Sequence, residues 1–196
     1  MPIAQLDPEW GVELTAPSYP TAERLYALLE PMLWPDWAES LTEGQRVSLF
    51  TQTRFQHIDN GPVLVELVDN ASLEAVQSHL ASMPSGCLIY TPSSISLDDL
   101  AASLRSRLIV QHGQAQAIMR FYEPRKLLML IGSMTVAQRQ QFFPSVVRIR
   151  WFDREWLSAT WQKPEQNQIN PPIWDLTEQQ VETMNFIYGQ WKGVSA

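Results

Sequence analysis

Cysteine is almost missing from this chain. Cys87 is the only one in 196 residues, so no internal disulfide can form and no cysteine cluster can hold zinc. No unbroken apolar run exceeds five residues, as in Leu127–Ile131, against the roughly 20 needed to cross a bilayer. A spanning helix is therefore excluded. The eight glycines are scattered and form neither a Gly-x-Gly-x-x-Gly fingerprint nor a Walker loop, which removes the common phosphate cradles. Histidine is represented by His57, His79 and His112, none of them in a nucleophile motif or a His-x-x-x-His pair. The N-terminus lacks the basic start, apolar stretch and small-residue cleavage site of a secretory signal, so the cytoplasm is the expected compartment.

What the chain does have is a core. Apolar residues make up 45% of it, with eight tryptophans, enough to offset the entropy of ordering one domain. Net charge is −7, which argues against coating nucleic acid. The charges are segregated: residues 1–104 carry −11, residues 105–154 carry +7 and the remainder −3. Either these segments meet and pair within the fold, or the basic middle faces an acidic partner. Eleven arginines stand against three lysines. The planar, weakly hydrated guanidinium suits buried pairs and interfaces better than an ammonium does.

Along the chain, Met1–Pro20 is rich in proline and reads as an extended arm laid on the domain. Leu25, Leu28, Leu29 and Met32 recur at helical spacing, which predicts a helix from Thr21 that Pro31 and Pro35 bring to an end. Pro62–Val68 reads as a buried strand. From Asn70 a helix is expected with Leu73, Val76, Leu80 and Met83 on one face, then a strand over Cys87–Thr91. Ser96 is a good N-cap, with Asp98 and Asp99 complementing the helix dipole rather than acting as an acid/base pair. Strands are expected at Leu108–Gln111 and Ala115–Tyr122, and Pro124 should open a helix with Glu123 at its N-cap. Thr135–Gln138 and Thr177–Gln180 are capping-box patterns.

Val146–Phe152 and Trp156–Trp161 read as two strands about Asp153-Arg154. Val147, Ile149 and Trp151 fall on one face of the first, and Arg148 and Arg150 on the other. Lys163–Pro172 reads as a linker, followed by an amphipathic helix through Val181, Met184, Ile187, Tyr188 and Trp191. The whole is a mixed α/β (α+β) domain, a small mixed sheet flanked by helices with a short C-terminal helical appendage. Its expected parts are an arm at 1–20, a domain at 21–162, and a linker and helix at 163–196.

A run of residues then narrows the field. Gly86-Cys87-Leu88-Ile89-Tyr90, Ser96-Leu97-Asp98-Asp99-Leu100 leading to Leu104-Arg105-Ser106-Arg107-Leu108, and Arg120-Phe121-Tyr122-Glu123-Pro124-Arg125-Lys126-Leu127 stand in order. Together with Leu25–Glu30, Gly61–Leu67 and Phe142-Phe143-Pro144, they resemble the chaperone or adaptor family of bacterial type VI secretion effectors, long catalogued as a domain of unknown function. The Arg-Phe-Tyr-acid-Pro-Arg box is its most specific piece, and the family usually has Asp where this chain has Glu123. The resemblance implies a cytoplasmic, non-enzymatic protein without cofactor or metal. It would bind an effector near its spike-tip or transmembrane part and help load it onto the valine-glycine-repeat spike protein, with no role for nucleic acid or membrane insertion.

Candidate partner contacts are Trp34, Trp37, Arg105, Arg120, Tyr122, Arg125, Arg148, Arg150 and Trp156, because tryptophan and arginine are enriched at interface hot spots. Arg105 and Arg120 are expected chiefly to hold carbonyls or acids inside the fold. Cys87 is expected to be an inert core thiol. A small hydrolase or transferase with a noncontiguous site is the main alternative, and a subunit of a larger assembly a third.

Overall fold

The computed structural model describes residues 6–161 and 172–193. In chain order the elements are a 3-10 turn Pro8–Trp10, β1 Glu13–Leu14, β2 Glu23–Leu29, a 3-10 turn Pro31–Leu33, α1 Trp37–Ser40, β3 Arg46–Ser48 and β4 Val63–Leu67. There follow α2 Asn70–Ser82, β5 Gly86–Pro92, α3 Leu97–Arg105, β6 Ile109–His112, β7 Ala115–Ile118, α4 Pro124–Gly132 and α5 Val136–Phe142. The chain continues through β8 Arg148–Asp153, β9 Glu155–Thr160, β10 Trp174–Asp175 and α6 Glu178–Lys192.

Seven strands form one sheet in the order β1-β9-β8-β5-β2-β4-β3, with every neighbouring pair antiparallel. A second sheet, β10-β6-β7, is mixed, because β10 runs parallel to β6 and β7 antiparallel to it. The α+β class stands, with a main sheet larger than the small mixed one expected. Among the described residues no helix is long and apolar enough to cross a membrane.

The helix expected from Thr21 is instead strand β2, at the centre of the large sheet between β5 and β4. Leu25, Ala27 and Leu29 enter a core shared with Leu73, Val76 and Leu80 of α2, while Tyr26 and Leu28 enter the opposite core with α3, α4 and α5. A strand buried on both faces reads as a continuous apolar run, and any such run contains residues at helical spacing. The strands expected at 62–68, 87–91, 108–111, 146–152 and 156–161 and the capping boxes at Thr135 and Thr177 fall where expected, whereas β1, β3, β10 and the Asp69 box come from stretches that carried no such expectation. β7 ends at Ile118, however, and Arg120–Glu123 is a turn closed by Glu123 N–H donating to the Arg120 carbonyl at 3.0 Å. Arg120 and Tyr122 thus share a turn, not a strand face. In α6, Ile187 and Trp191 are buried, but Tyr188 is exposed rather than part of the core stripe. The linker expected at 163–172 lies, except for Pro172, outside the described residues.

Of the arm expected at 1–20, residues 1–5 lie outside the described residues. Its Glu13–Leu14 pairs with β9 at the sheet edge. Arg139, buried on α5, donates to the carbonyls of Ile131 (2.9 Å), Gly11 (3.2 Å) and Trp10 (2.6 Å), joining α4 and α5 to the chain start. Arg107 likewise donates to the carbonyls of Phe142 and Gln141. At the far end, Trp191 Nε1 donates to Asp153 Oδ2 at 2.9 Å, which fastens α6 to the β8–β9 turn.

Arg139→Met keeps most of the volume but leaves the Trp10 and Gly11 carbonyls without their donor, while the Ile131 carbonyl still accepts from Met134 N–H at 3.2 Å. At about 1–3 kcal/mol for each buried polar group left unsatisfied, partly relieved by water, a loss of about 3 kcal/mol is expected. Urea unfolding of the variant measures it, and a loss below about 1 kcal/mol would mean that the clamp does not hold the arm.

Candidate functional site

At one end of the large sheet two connections run side by side. β2 ends at Leu29 opposite Gly86 of β5, and Glu30 N–H donates to the Ser85 carbonyl at 2.8 Å. This sets the turn Pro31–Leu33 beside Met83-Pro84. The first turns of α4, with Pro124, Arg125, Lys126 and Met129, and Tyr188 of α6 complete a groove of about 650 Å³. Its apolar side is open to solvent: Met32 is 75% exposed, Met83 49%, Tyr188 47% and Leu33 42%. Adjoining exposed apolar side chains of this size mark interaction surfaces.

Proline explains why the methionines are here. Met32 follows Pro31 and Met83 precedes Pro84, so each lies where regular structure stops and its side chain leaves the core. The turn that carries Met32 is braced from below. Trp34 is buried and stacks on His79 with ring centroids 4.0 Å apart. Burial holds the His79 imidazole below its ordinary pKa, opposed by a hydrogen bond to the Leu33 backbone.

The polar side of the groove is a chain of ion pairs. Arg120 binds Glu30 at 2.9 Å and Glu123 at 3.0 Å, and Glu123 binds Lys126 at 2.8 Å. Glu123 does occupy the N-cap of α4, but its side chain makes no capping bond. It holds Arg120 and Lys126 instead, so Glu123 stands at the expected N-cap position without acting as a cap. The Arg120 guanidinium also lies 5.7 Å from the Tyr122 ring centre. Arg125 is exposed and makes no ion pair among the described residues. Three cations against two carboxylates leave the rim of the groove with one excess positive charge.

The remaining candidates are spread over the molecule. Tyr122 is buried behind Arg120, with its phenol pushed above its ordinary pKa by burial. Arg105 donates to the carbonyls of Ser48 (2.9 Å) and Leu49 (3.3 Å), the internal role expected of it. Arg148 and Arg150 lie on the other face of the sheet, 5.0 and 5.3 Å from the Tyr90 ring centre. There Arg148 meets Glu23 at 3.5 Å, and Arg150, buried, donates to the Ala16 carbonyl at 2.9 Å. The basic middle thus meets the acidic first half through Arg120–Glu30 and Arg148–Glu23. Trp37 is half-buried under Arg46, and Trp156 packs on Phe152. Cys87 is buried, and burial pushes its thiol far up.

Only Arg120 and Arg125 of the nine candidates line the groove. Met32, Met83, Tyr188 and Glu30 line it too. Sequence reasoning placed the first three in helical core stripes, and the flanking prolines were the signal that could have released the two methionines.

Glu30 carries a testable charge. Burial raises its pKa above the ordinary 4.5, with Arg120 opposing. The folded state therefore holds that proton more tightly than the unfolded chain, and stability is lost as pH rises through the shifted value. Glu30→Gln should melt higher than the parent at pH 7, with the difference gone below pH 4.5. Thermal melts across that range check this, and a higher-melting parent at pH 7 would mean that the Arg120 pair outweighs the burial.

The family described as a domain of unknown function (DUF4123) matches residues 25–141. No curated protein and no solved structure matches the chain. The matched stretch runs from β2 into α5 and contains every groove residue except Tyr188. It spans more than half of the 196 residues, and the chain belongs to the DUF4123 family.

Proposed function

We propose that this protein is a cytoplasmic, non-catalytic adaptor that grips an apolar segment of a partner polypeptide in the groove between Met32, Met83, Met129 and the start of α4. One observation carries the reading. The box on which the family resemblance rests, through Arg120, Glu123, Pro124 and Arg125, lines the same groove as the exposed methionines. Methionine is unbranched and polarizable, so such a wall fits apolar segments of varied sequence. The resemblance supplies the class of partner: an effector of type VI secretion, to be handed to the spike.

A second reading, a small hydrolase or transferase, rests on Glu30, a carboxyl shifted upward inside a groove. Glu30→Gln separates the two, since an adaptor keeps its partner and an enzyme that uses Glu30 loses turnover.

The test is co-purification with the product of each gene flanking this chain's own, with and without chelator. A complex that survives chelator is expected. Burying a methionine stabilises by about 1.5–3 kcal/mol, so Met32→Glu and Met83→Glu should each weaken binding about tenfold or more. Their melting points should stay near the parent's, because both side chains are exposed. Failure of the parent to bind, or parent-like binding by the double variant, counts against the proposal.

A further inference from the structure

Strand β7, Ala115–Ile118, is the outer strand of the small sheet, and all four of its residues are exposed. The hydrogen-bond pattern fixes which backbone groups point outward. Met119 N–H donates to the Leu108 carbonyl at 2.8 Å, and on the other side of β6 the Leu176 N–H donates to the Gln111 carbonyl at 2.7 Å. With Ile109 opposite Ile118 and Gln111 opposite Gln116, the bonded pairs between β6 and β7 are therefore Val110 with Ala117 and His112 with Ala115. Gln116 and Ile118 turn their N–H and C=O groups to the open edge, where no backbone partner meets them among the described residues.

Native edges are normally blunted by lysine, proline or a bulge. Ala-Gln-Ala-Ile has none of these, and its four-residue length is the one feature that limits pairing there. Arg54 reaches only the side chain of Gln116, at 3.4 Å.

We infer that β7 pairs with β7 of a second copy of this chain, antiparallel, about a two-fold axis through Ala117. Gln116, Ala117 and Ile118 are self-complementary in that register, and Ala115 falls opposite Met119 of the second copy, beyond the strand. Gln116 exchanges two backbone bonds with Ile118 of the second copy, and the axis repeats the exchange, giving four bonds. Ala117 then faces Ala117 in a non-bonded pair, where backbones approach most closely, at about 4.5 Å between Cα atoms. A small side chain suits that position. The contact joins two three-stranded sheets into one of six strands. It is short and buries little apolar area, so the dimer is weak and forms at high concentration. It does not depend on the groove or on the adaptor reading.

Ala117 would be the one position of the strand that meets itself, and the test uses this. Sedimentation velocity of the full chain from about 10 μM to about 1 mM should show concentration-dependent dimers, the range in which a contact of this size assembles. Ala117→Lys and Ala117→Glu should each weaken association at least about tenfold through like-charge opposition. An equimolar mixture of the two should restore it. Gln116→Pro removes an outward N–H and leaves the β6 ladder intact, so it should also dissociate the dimer. Unfolding midpoints near the parent's confirm that the variants are folded. A parent that stays monomeric throughout, the result expected if β7 receives a strand of some other protein, overturns the proposal. So does parent-like association of either charged variant alone, or a mixture that fails to associate.

Discussion

Burial of β2 on both faces is the constraint on which the rest of the molecule depends. Five consecutive residues, Leu25 to Leu29, are almost without solvent contact, and they alternate between two cores on opposite sides of the large sheet. One side is closed by α2 and the other by α3, α4, α5 and α6. Such a strand tolerates neither a charge nor a shift in register, because a one-residue slip would exchange the two sets of side chains. Where it ends the constraint ends too. Glu30 is the first residue past it, and the groove begins there.

Arginine ties the irregular parts to this frame. Arg105, Arg107, Arg139 and Arg150 all donate to backbone carbonyls of loops, of helix ends or, at Ser48, of the end of strand β3. A helix end or loop leaves carbonyls without partners, and a planar guanidinium can satisfy two or three at once. Burial lowers the pKa of Arg107 and Arg139, yet a guanidinium starts so high that it stays charged. This accounts for the preference for arginine over lysine: a buried ammonium would shed its proton and lose a donor.

The legible part of the fold was whatever local chemistry fixes. Capping boxes at Asp69, Ser96, Thr135 and Thr177 start their helices through side-chain bonds three residues long. The helix expected from Asn70 does begin there, and Asp69, which sequence reasoning did not single out, is its N-cap. β2 was misread because the difference between a helix and a doubly buried strand lies in what covers each face, and no local window contains that. The site was half legible for the same reason. Arg120 and Arg125 stand in one contiguous box, whereas Glu30, Met83 and Tyr188 reach the groove from three other elements. Arg148 and Arg150 were correctly set on one face of β8, but that face meets Tyr90 and Ser18 of this same chain.

In the adaptor reading, the two arginines of the groove differ in what a partner would have to displace. Arg120 is held by two carboxylates and lies against Tyr122, so an incoming acid gains little there unless Glu30 or Glu123 gives way. Truncating a held pair also leaves its other charges uncompensated, so loss of Arg120 would disturb the wall itself. Arg125 carries no such cost. It is exposed, and a carboxylate meeting it would keep much of its attraction once a bound segment shields the pair from water. The methionines then supply affinity that is indifferent to sequence, while Arg125 supplies the charge preference that orients the segment along the groove.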